Sequence, residues 1–192
     1  RKNSLLGRLC FDVPILDFGS GADSSYLIPF SLALVKRELP YFAYDKDPEV
    51  QVAIRKRIDK RKLTNIQVIP SMEEVCALWE EDETFSFDLI FTEVVEHLYE
   101  ENAALLLSYF LLHFPFRKLL VTTPNQTFNQ FYLLDQPFRH DDHKWEKTEE
   151  EFQAWIEGII SSVGLNFFVE YFKIGDRVNG ICCSLGVEIK HC

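Results

Sequence analysis

Phe91-Thr92-Glu93-Val94-Val95-Glu96-His97-Leu98 gathers two carboxylates and an imidazole just after Phe85-Ser86-Phe87-Asp88-Leu89-Ile90, an apolar run that reads as a buried strand. A helix starting near Thr92 would set Glu93, Glu96 and His97 at i, i+3 and i+4, on one face. Such a set beside a strand end suits a divalent metal. The alternative is an exposed helix start, where acids simply favour the helix dipole. Carboxylates suit Mg²⁺ or Mn²⁺, and imidazole shifts the preference toward Mn²⁺. A further ligand must come from elsewhere in the chain. His143, in Arg139-His140-Asp141-Asp142-His143-Lys144-Trp145-Glu146, is the candidate, with His140 as its competitor. His113 lies on an apolar helical stretch and is not read as a ligand. The zinc-peptidase pattern HxxEH fails, because position 93 is Glu.

A second cluster is Asp17-Phe18-Gly19-Ser20-Gly21. Gly19 and Gly21 allow a tight turn and close approach of backbone to a ligand. The dinucleotide pattern GxGxxG is broken by Ser24. An acid ahead of the glycines suits a cofactor carrying a positive or amino group, and Asp45 is placed to accept from two ribose hydroxyls. Together they favour S-adenosylmethionine over NAD. The plainer alternative makes Asp17 a turn former and Asp45 a strand-end acid.

The elements that must position these residues follow from periodicity. Apolar runs predict strands at 13–18, 41–45, 66–69, 87–91, 117–122, 166–172 and 181–189. Helical spacing predicts helices over 3–11, 24–39 (with Pro29 near its first turn or as a kink), 48–62, 71–79, from Thr92, 102–114 and 148–162. Asp47 with Pro48, Ser71, and Thr148 with Glu151 are the capping signals. The acidic run 80–83 reads as a solvated connection, and 123–142 as a long functional loop. Strands alternating with helices imply a doubly wound, mostly parallel α/β sheet closed by an antiparallel pair. Ligands in such sheets bind beyond the carboxyl ends of the strands. Trp145 and Trp155 are assigned to the core, and Phe128, Phe131, Tyr132 and Phe138 to packing or to stacking on a base.

The 192 residues suffice for one sizeable core, and 47% hydrophobic content excludes a disordered chain. No apolar stretch is long enough to span a membrane. The sequence opens at Arg1 without Met or a signal-peptide apolar region, predicting one domain, monomeric, excised from a longer chain. Five cysteines without CxxC spacing predict a reducing compartment and a cytoplasmic protein. A net charge of −10 argues against general nucleic-acid binding. The run Arg55, Lys56, Arg57, Lys60, Arg61 and Lys62 stands against it, either as a solvated helix face or as a local contact to one RNA end.

Taken together, these residues resemble the methyltransferase domain of the Hen family, the small-RNA 3′-terminal ribose 2′-O-methyltransferases. The resemblance runs from Ile15 to Ile189. Three blocks carry it: Glu93 to Leu98; Thr123-Pro124-Asn125 with Phe128-Asn129; and Arg139 to Trp145 followed by Glu151-Phe152-Gln153-Ala154-Trp155. It implies a Rossmann-like class I fold, a seven-stranded sheet with helices on both faces, and S-adenosylmethionine as methyl donor. It further implies one Mg²⁺ or Mn²⁺ held by Glu93, Glu96, His97 and His143, with either histidine helping to remove a proton. Cofactor contacts fall on Asp17, Gly19, Gly21, Asp45, Ser71, Met72 and Thr92, and RNA contacts on Thr123, Pro124, Asn125 and Arg139. The substrate implied is an RNA 3′ end, with RNA-silencing or RNA-repair proteins as partners. Departures from the family are Ser20 for a frequent Cys and Lys147 for a Trp. Two alternatives stay open: a methyltransferase of a small molecule or protein, and an idle methyltransferase-like RNA-binding module.

Overall fold

The computed structural model describes residues 5, 7–22, 27–35, 38–78, 86–132 and 134–192. The leading helix expected over 3–11 rests largely on residues outside these. The expectations for Ser24, Trp79 and the acidic run 80–83 also lie outside the described residues, whereas Pro29 falls in the first turn of the helix Leu27–Val35.

Seven strands form one sheet in the order β3-β2-β1-β4-β5-β7-β6. They are β1 (Ile15–Phe18), β2 (Tyr41–Tyr44), β3 (Ile66–Ile69), β4 (Phe87–Thr92), β5 (Phe116–Pro124), β6 (Phe167–Val178) and β7 (Ile181–His191). The helices are α1 (Leu27–Val35), α2 (Pro48–Arg61), α3 (Met72–Ala77), α4 (Glu100–His113) and α5 (Glu149–Val163). β1 pairs in parallel with β2 and β4, and β2 with β3. The order therefore reverses at β1, the position where open α/β sheets present a crevice to ligands. β6 and β7 are antiparallel, with a register irregularity between Ile174 and Arg177. Among the described residues no helix is long and apolar enough to cross a membrane.

By its contacts the chain forms two compact units. The first runs to Thr92 and includes Pro115–Leu119. Its core is built on β1 and β2, where Ile15, Leu16, Tyr41 and Ala43 are fully buried. α2 starts at its expected cap: Asp47 accepts from the Glu49 amide at 2.8 Å, ahead of Pro48. It ends where Lys62 turns left-handed at φ 54°. Ser71 caps α3 by accepting from the Glu74 amide at 3.2 Å.

The second unit comprises Glu93–Phe114 and Leu120–Cys192. α5 opens with the expected reciprocal pair, the Glu151 amide donating to the Thr148 hydroxyl and the Thr148 amide to Glu151. Gly164 closes it at φ 72°, a conformation glycine takes without a Cβ clash. Trp145, buried, and Trp155, half-buried, meet at 5.0 Å between ring centroids.

Two expectations need correction. Residues 123–142 are not one irregular loop, because Thr123 and Pro124 complete β5 and Gln126–Phe131 form a 3₁₀ turn. No α-helix starts at Thr92 either. The Glu93 amide donates to the Thr122 carbonyl at 3.0 Å, extending the sheet ladder by one residue. Glu93 then takes φ 58°, and only the 3₁₀ turn Val95–His97 follows before α4. Pairing with β5 overrides the helical spacing.

Candidate functional site

The 3₁₀ turn brings Glu96 and His97 together with His143 from the 138–146 segment. One ligand atom from each lies within 4.8 Å of the others. Metal–ligand bonds of ~2.1 Å place opposite ligands ~4.2 Å apart, so small movements would close the set on an ion. Glu96 is fully buried. Its Oε2 accepts from the Thr123 hydroxyl at 3.1 Å, while Oε1 is buried without any partner. Burial, then the charge of Glu93, raise its pKa well above the usual carboxylate range. A buried half-satisfied carboxylate is what a cation would complete.

Both histidines are backed by carboxylates. His143 Nδ1 lies 2.6 Å from Glu146 Oε1, and His97 Nδ1 lies 2.8 Å from Asp142 Oδ2. With Nδ1 engaged, Nε2 is the nitrogen left for a metal, the usual arrangement around metal-bound histidine. Their rings sit edge to face at 4.8 Å. Burial lowers the His97 pKa despite the opposing charge of Asp142, which favours the neutral ligand form. The segment is held to the turn by the Lys144 amide on the Glu96 carbonyl (2.7 Å) and the Trp145 indole on the Leu98 carbonyl (3.0 Å).

Glu93 lies outside this three-residue set. Its Oε1 accepts from the Thr122 hydroxyl at 3.1 Å and its Oε2 from the Ser184 hydroxyl at 3.3 Å. His140 forms a separate exposed group with Asp141 and Asp142. His113 is exposed at the end of α4.

The other residues expected at a substrate are built into the protein. The Asn125 amide group donates to the Cys182 carbonyl (2.9 Å), and its oxygen caps the 3₁₀ turn at the Thr127 amide. Arg139 Nη2 donates to the carbonyls of Cys183 and Asn125 and to Asn129 Oδ1. Its guanidinium lies over Tyr132 and Phe128, at 5.3 and 5.8 Å from the ring centroids, while Nε and Nη1 are buried without partners. Pro124 is buried at the end of β5, Phe128 is in the core, and Phe131 and Phe138 are half-buried.

In the first unit, the turn after β1 has Gly19 at φ 71° and Gly21 at φ 65°, and a Cβ on Gly21 would meet nothing within 4 Å. The Gly19 and Ser20 amides both donate to the Tyr44 carbonyl, at 2.8 and 2.9 Å. Asp45 Oδ2 accepts from the Gly21 amide at 3.1 Å and Oδ1 from the Asp47 amide at 3.0 Å. Asp17 is fully buried; Oδ2 accepts a short hydrogen bond from the Tyr41 hydroxyl, and Oδ1 is unpartnered. Burial pushes its pKa up to about 7, against the lowering effect of Tyr41. An orphaned acid oxygen beside an open glycine turn fits a cofactor with an amino group. Ser71 spends its hydroxyl on the α3 cap; Met72 and Thr92 are half-buried.

Sequence reasoning missed the residues that hold these groups: Tyr41, Asn129, Asp142, Glu146 and Ser184. Gln51 and Arg57 were missed too, bracing the Asp45 and Ala22 carbonyls. Only Glu146, three residues after His143, carried a local signal.

No protein-family model matches the sequence. The small RNA 2′-O-methyltransferase of Xenopus tropicalis is 34% identical over 110 residues, 53% of this chain and 28% of the relative. The Drosophila melanogaster enzyme of the same name is 37% identical over 78 residues, 38% of this chain and 20% of the relative. The chain thus spans under a third of the length of the curated relatives it matches. Among solved structures, a chain of the Pnkp1/Rnl/Hen1 RNA repair complex matches with a TM-score of 0.79 and 28% identity, covering 100% of this chain and 41% of that one. The methyltransferase domain of bacterial CtHen1-C matches in fold with a TM-score of 0.74 and 22% identity, covering 100% and 96%. Aligned sequence over half the chain and a common fold over all of it make this chain similar to the Hen methyltransferase domains, and its fold is Rossmann-like.

Proposed function

We propose that this domain transfers the methyl group of S-adenosylmethionine to the 2′-hydroxyl of an RNA 3′-terminal nucleotide, with a divalent metal held by Glu93, Glu96, His97 and His143. The observation that carries this reading is the unpartnered Glu96 Oε1, buried where two carboxylate-backed histidines converge. Glu93 completes the set by turning a carboxylate now held by Thr122 and Ser184. Two carboxylates with two imidazoles suit Mn²⁺ or Mg²⁺.

A terminal ribose alone offers adjacent free 2′ and 3′ hydroxyls. A bound divalent ion supplies Lewis acidity to such a pair, lowering the pKa of the attacking oxygen. Bound S-adenosylmethionine supplies an electrophilic methyl; overall the C–S bond breaks, a C–O bond forms and the 2′ proton leaves to solvent. Asp17, Gly19, Gly21 and Asp45, with Ser71, Met72 and Thr92, are the proposed cofactor residues. Thr123 orients Glu96; Pro124, Asn125 and Arg139 frame the RNA-facing wall. A histidine bound through Nε2 with Nδ1 protonated has no lone pair to spare, so His97 and His143 serve catalysis as ligands rather than as bases. A reducing, cytoplasmic setting with RNA-repair or RNA-silencing partners belongs to the same reading.

Labelled methyl transfer to a short RNA, with Mn²⁺ and with a chelator, tests it against the same RNA ending in 2′-deoxyribose. Labelling only of the ribose-ended RNA, and only with metal, is expected. Equal labelling of both overturns the assignment. Labelling of a protein or small molecule alone favours the other enzyme class, and RNA binding without turnover favours an idle module.

A further inference from the structure

We infer that Glu146 is a positioning residue for the metal centre, holding His143 as the Nδ1–H tautomer so that Nε2 presents a lone pair before any ion binds. This rests on the metal site proposed above.

Hydrogen-bond direction around Glu146 sets the tautomer. Glu146 is 5% exposed. Its Oε1 accepts from the Arg139 amide at 2.8 Å and lies 2.6 Å from His143 Nδ1; its Oε2 accepts from the Asn129 amide group at 2.6 Å. The Arg139 backbone N–H can only donate. Asn129 is the one partner whose amide can in principle be reversed, but its Oδ1 already accepts from Arg139 Nη2 at 3.2 Å, and a guanidinium never accepts. Arg139 is itself anchored by the Cys183 carbonyl at 3.0 Å and covered by the Phe128 and Tyr132 rings. The Arg139 N–H at Oε1 and the Asn129 amide group at Oε2, the latter fixed by an Arg139 guanidinium anchored on the Cys183 carbonyl of β7, therefore demand an acceptor at both Glu146 oxygens. Nδ1 of His143 is left to donate, and Nε2 is left free for a metal.

His97 has no comparable constraint. Its partner Asp142 is exposed and also engages His140 at 3.0 Å. One ligand is thus set by the fold, and the other can adjust as an ion arrives.

Glu146→Gln tests this with almost no change in shape. Either orientation sets the new amide against a donor, the Asn129 amide group at one position or the Arg139 N–H at the other, so the acceptor that fixes the His143 tautomer is no longer assured. In metal-free wild-type protein, long-range ¹H–¹⁵N correlations of the His143 ring should report the Nδ1–H tautomer. In E146Q that tautomer should lose its dominance and an Nε2–H signal appear, and the Mn²⁺ Kd from calorimetry should rise about 10- to 100-fold. S-adenosylmethionine affinity should stay within about twofold. Asn129→Ala leaves the His143–Glu146 bond in place and should cost less Mn²⁺ affinity than E146Q.

An Nε2–H tautomer in the wild type overturns the inference without any variant, so a failure of E146Q to fold does not protect it. A wild type that binds Mn²⁺ beside an E146Q with equal affinity and an unchanged tautomer also overturns it, leaving the proposed function standing. A wild type that binds no Mn²⁺ overturns the metal reading, and this inference with it.

Discussion

The Thr123 hydroxyl donates to Glu96 Oε2 at 3.1 Å, and Oε1 of the same buried carboxylate has no partner. Glu96 is therefore half satisfied within the protein, an arrangement that costs stability unless something else completes it. Sites kept for function commonly carry such a cost.

Glu96→Gln should accordingly raise the stability of the metal-free protein by about 1 kcal/mol. Adding Mn²⁺ at 100 times its Kd should stabilise the wild type by about 2.7 kcal/mol and leave E96Q unchanged. Calorimetric unfolding with and without Mn²⁺ measures both. A wild-type Tm indifferent to Mn²⁺ contradicts the assignment.

Asp17 predicts a pH dependence of stability. Its folded pKa of about 7 lies above the ordinary 3.8, so the folded state holds the proton that the unfolded state has released. The contribution is fully present below the unfolded value and is lost as pH rises through about 7, on the order of 4 kcal/mol in all. Asp17→Asn should flatten the stability curve between pH 4 and 7 in urea unfolding. Tyr41→Phe, which removes the lowering hydrogen bond, should move the inflection upward.

RNA binding should depend only weakly on salt. Recognition of one terminal ribose needs few phosphate contacts, in keeping with the net charge of −10. We expect a log–log slope no steeper than about −2 for single-stranded RNA, equivalent to roughly three phosphates. Fluorescence anisotropy between roughly 50 and 200 mM salt decides it. A steep slope would move the cationic residues of α2 from solvated helix face to RNA contact.

Thr148→Ala removes one half of the capping box at the start of α5 and should cost about 1 kcal/mol by urea unfolding. Mn²⁺ affinity should be unchanged. A parallel loss of metal binding would tie the site to this helix end.

Much of the fold is local and therefore readable along the chain. Asp47 with Pro48, Ser71, and Thr148 with Glu151 each satisfy amides two or three residues away, so their spacing alone locates three helix starts. The short apolar runs at β1 to β4 likewise announce buried strands, although β5, β6 and β7 extend further than their apolar cores suggested. Glu93 shows the limit. Its spacing to Glu96 and His97 reads as a helix face, but a hydrogen bond to Thr122 in β5 holds it in the sheet and sends its backbone to φ 58°. A partner 29 positions away leaves no mark in local periodicity.

The amino-acid sequence by itself determined which chemistry was possible here: carboxylates and imidazoles for a metal, an acid and two glycines for a cofactor, and the order of elements that carry them. Tertiary structure alone decided which side chains converge and which way their protons point. His143 rather than His140 joins Glu96, because the Lys144 amide and the Trp145 indole tie that segment to the 95–98 turn. Its Nε2 is free because Glu146, Asn129 and Arg139 form a one-way run of hydrogen bonds. Residue identity sets what each group can donate or accept; only burial beside particular partners removes the alternatives.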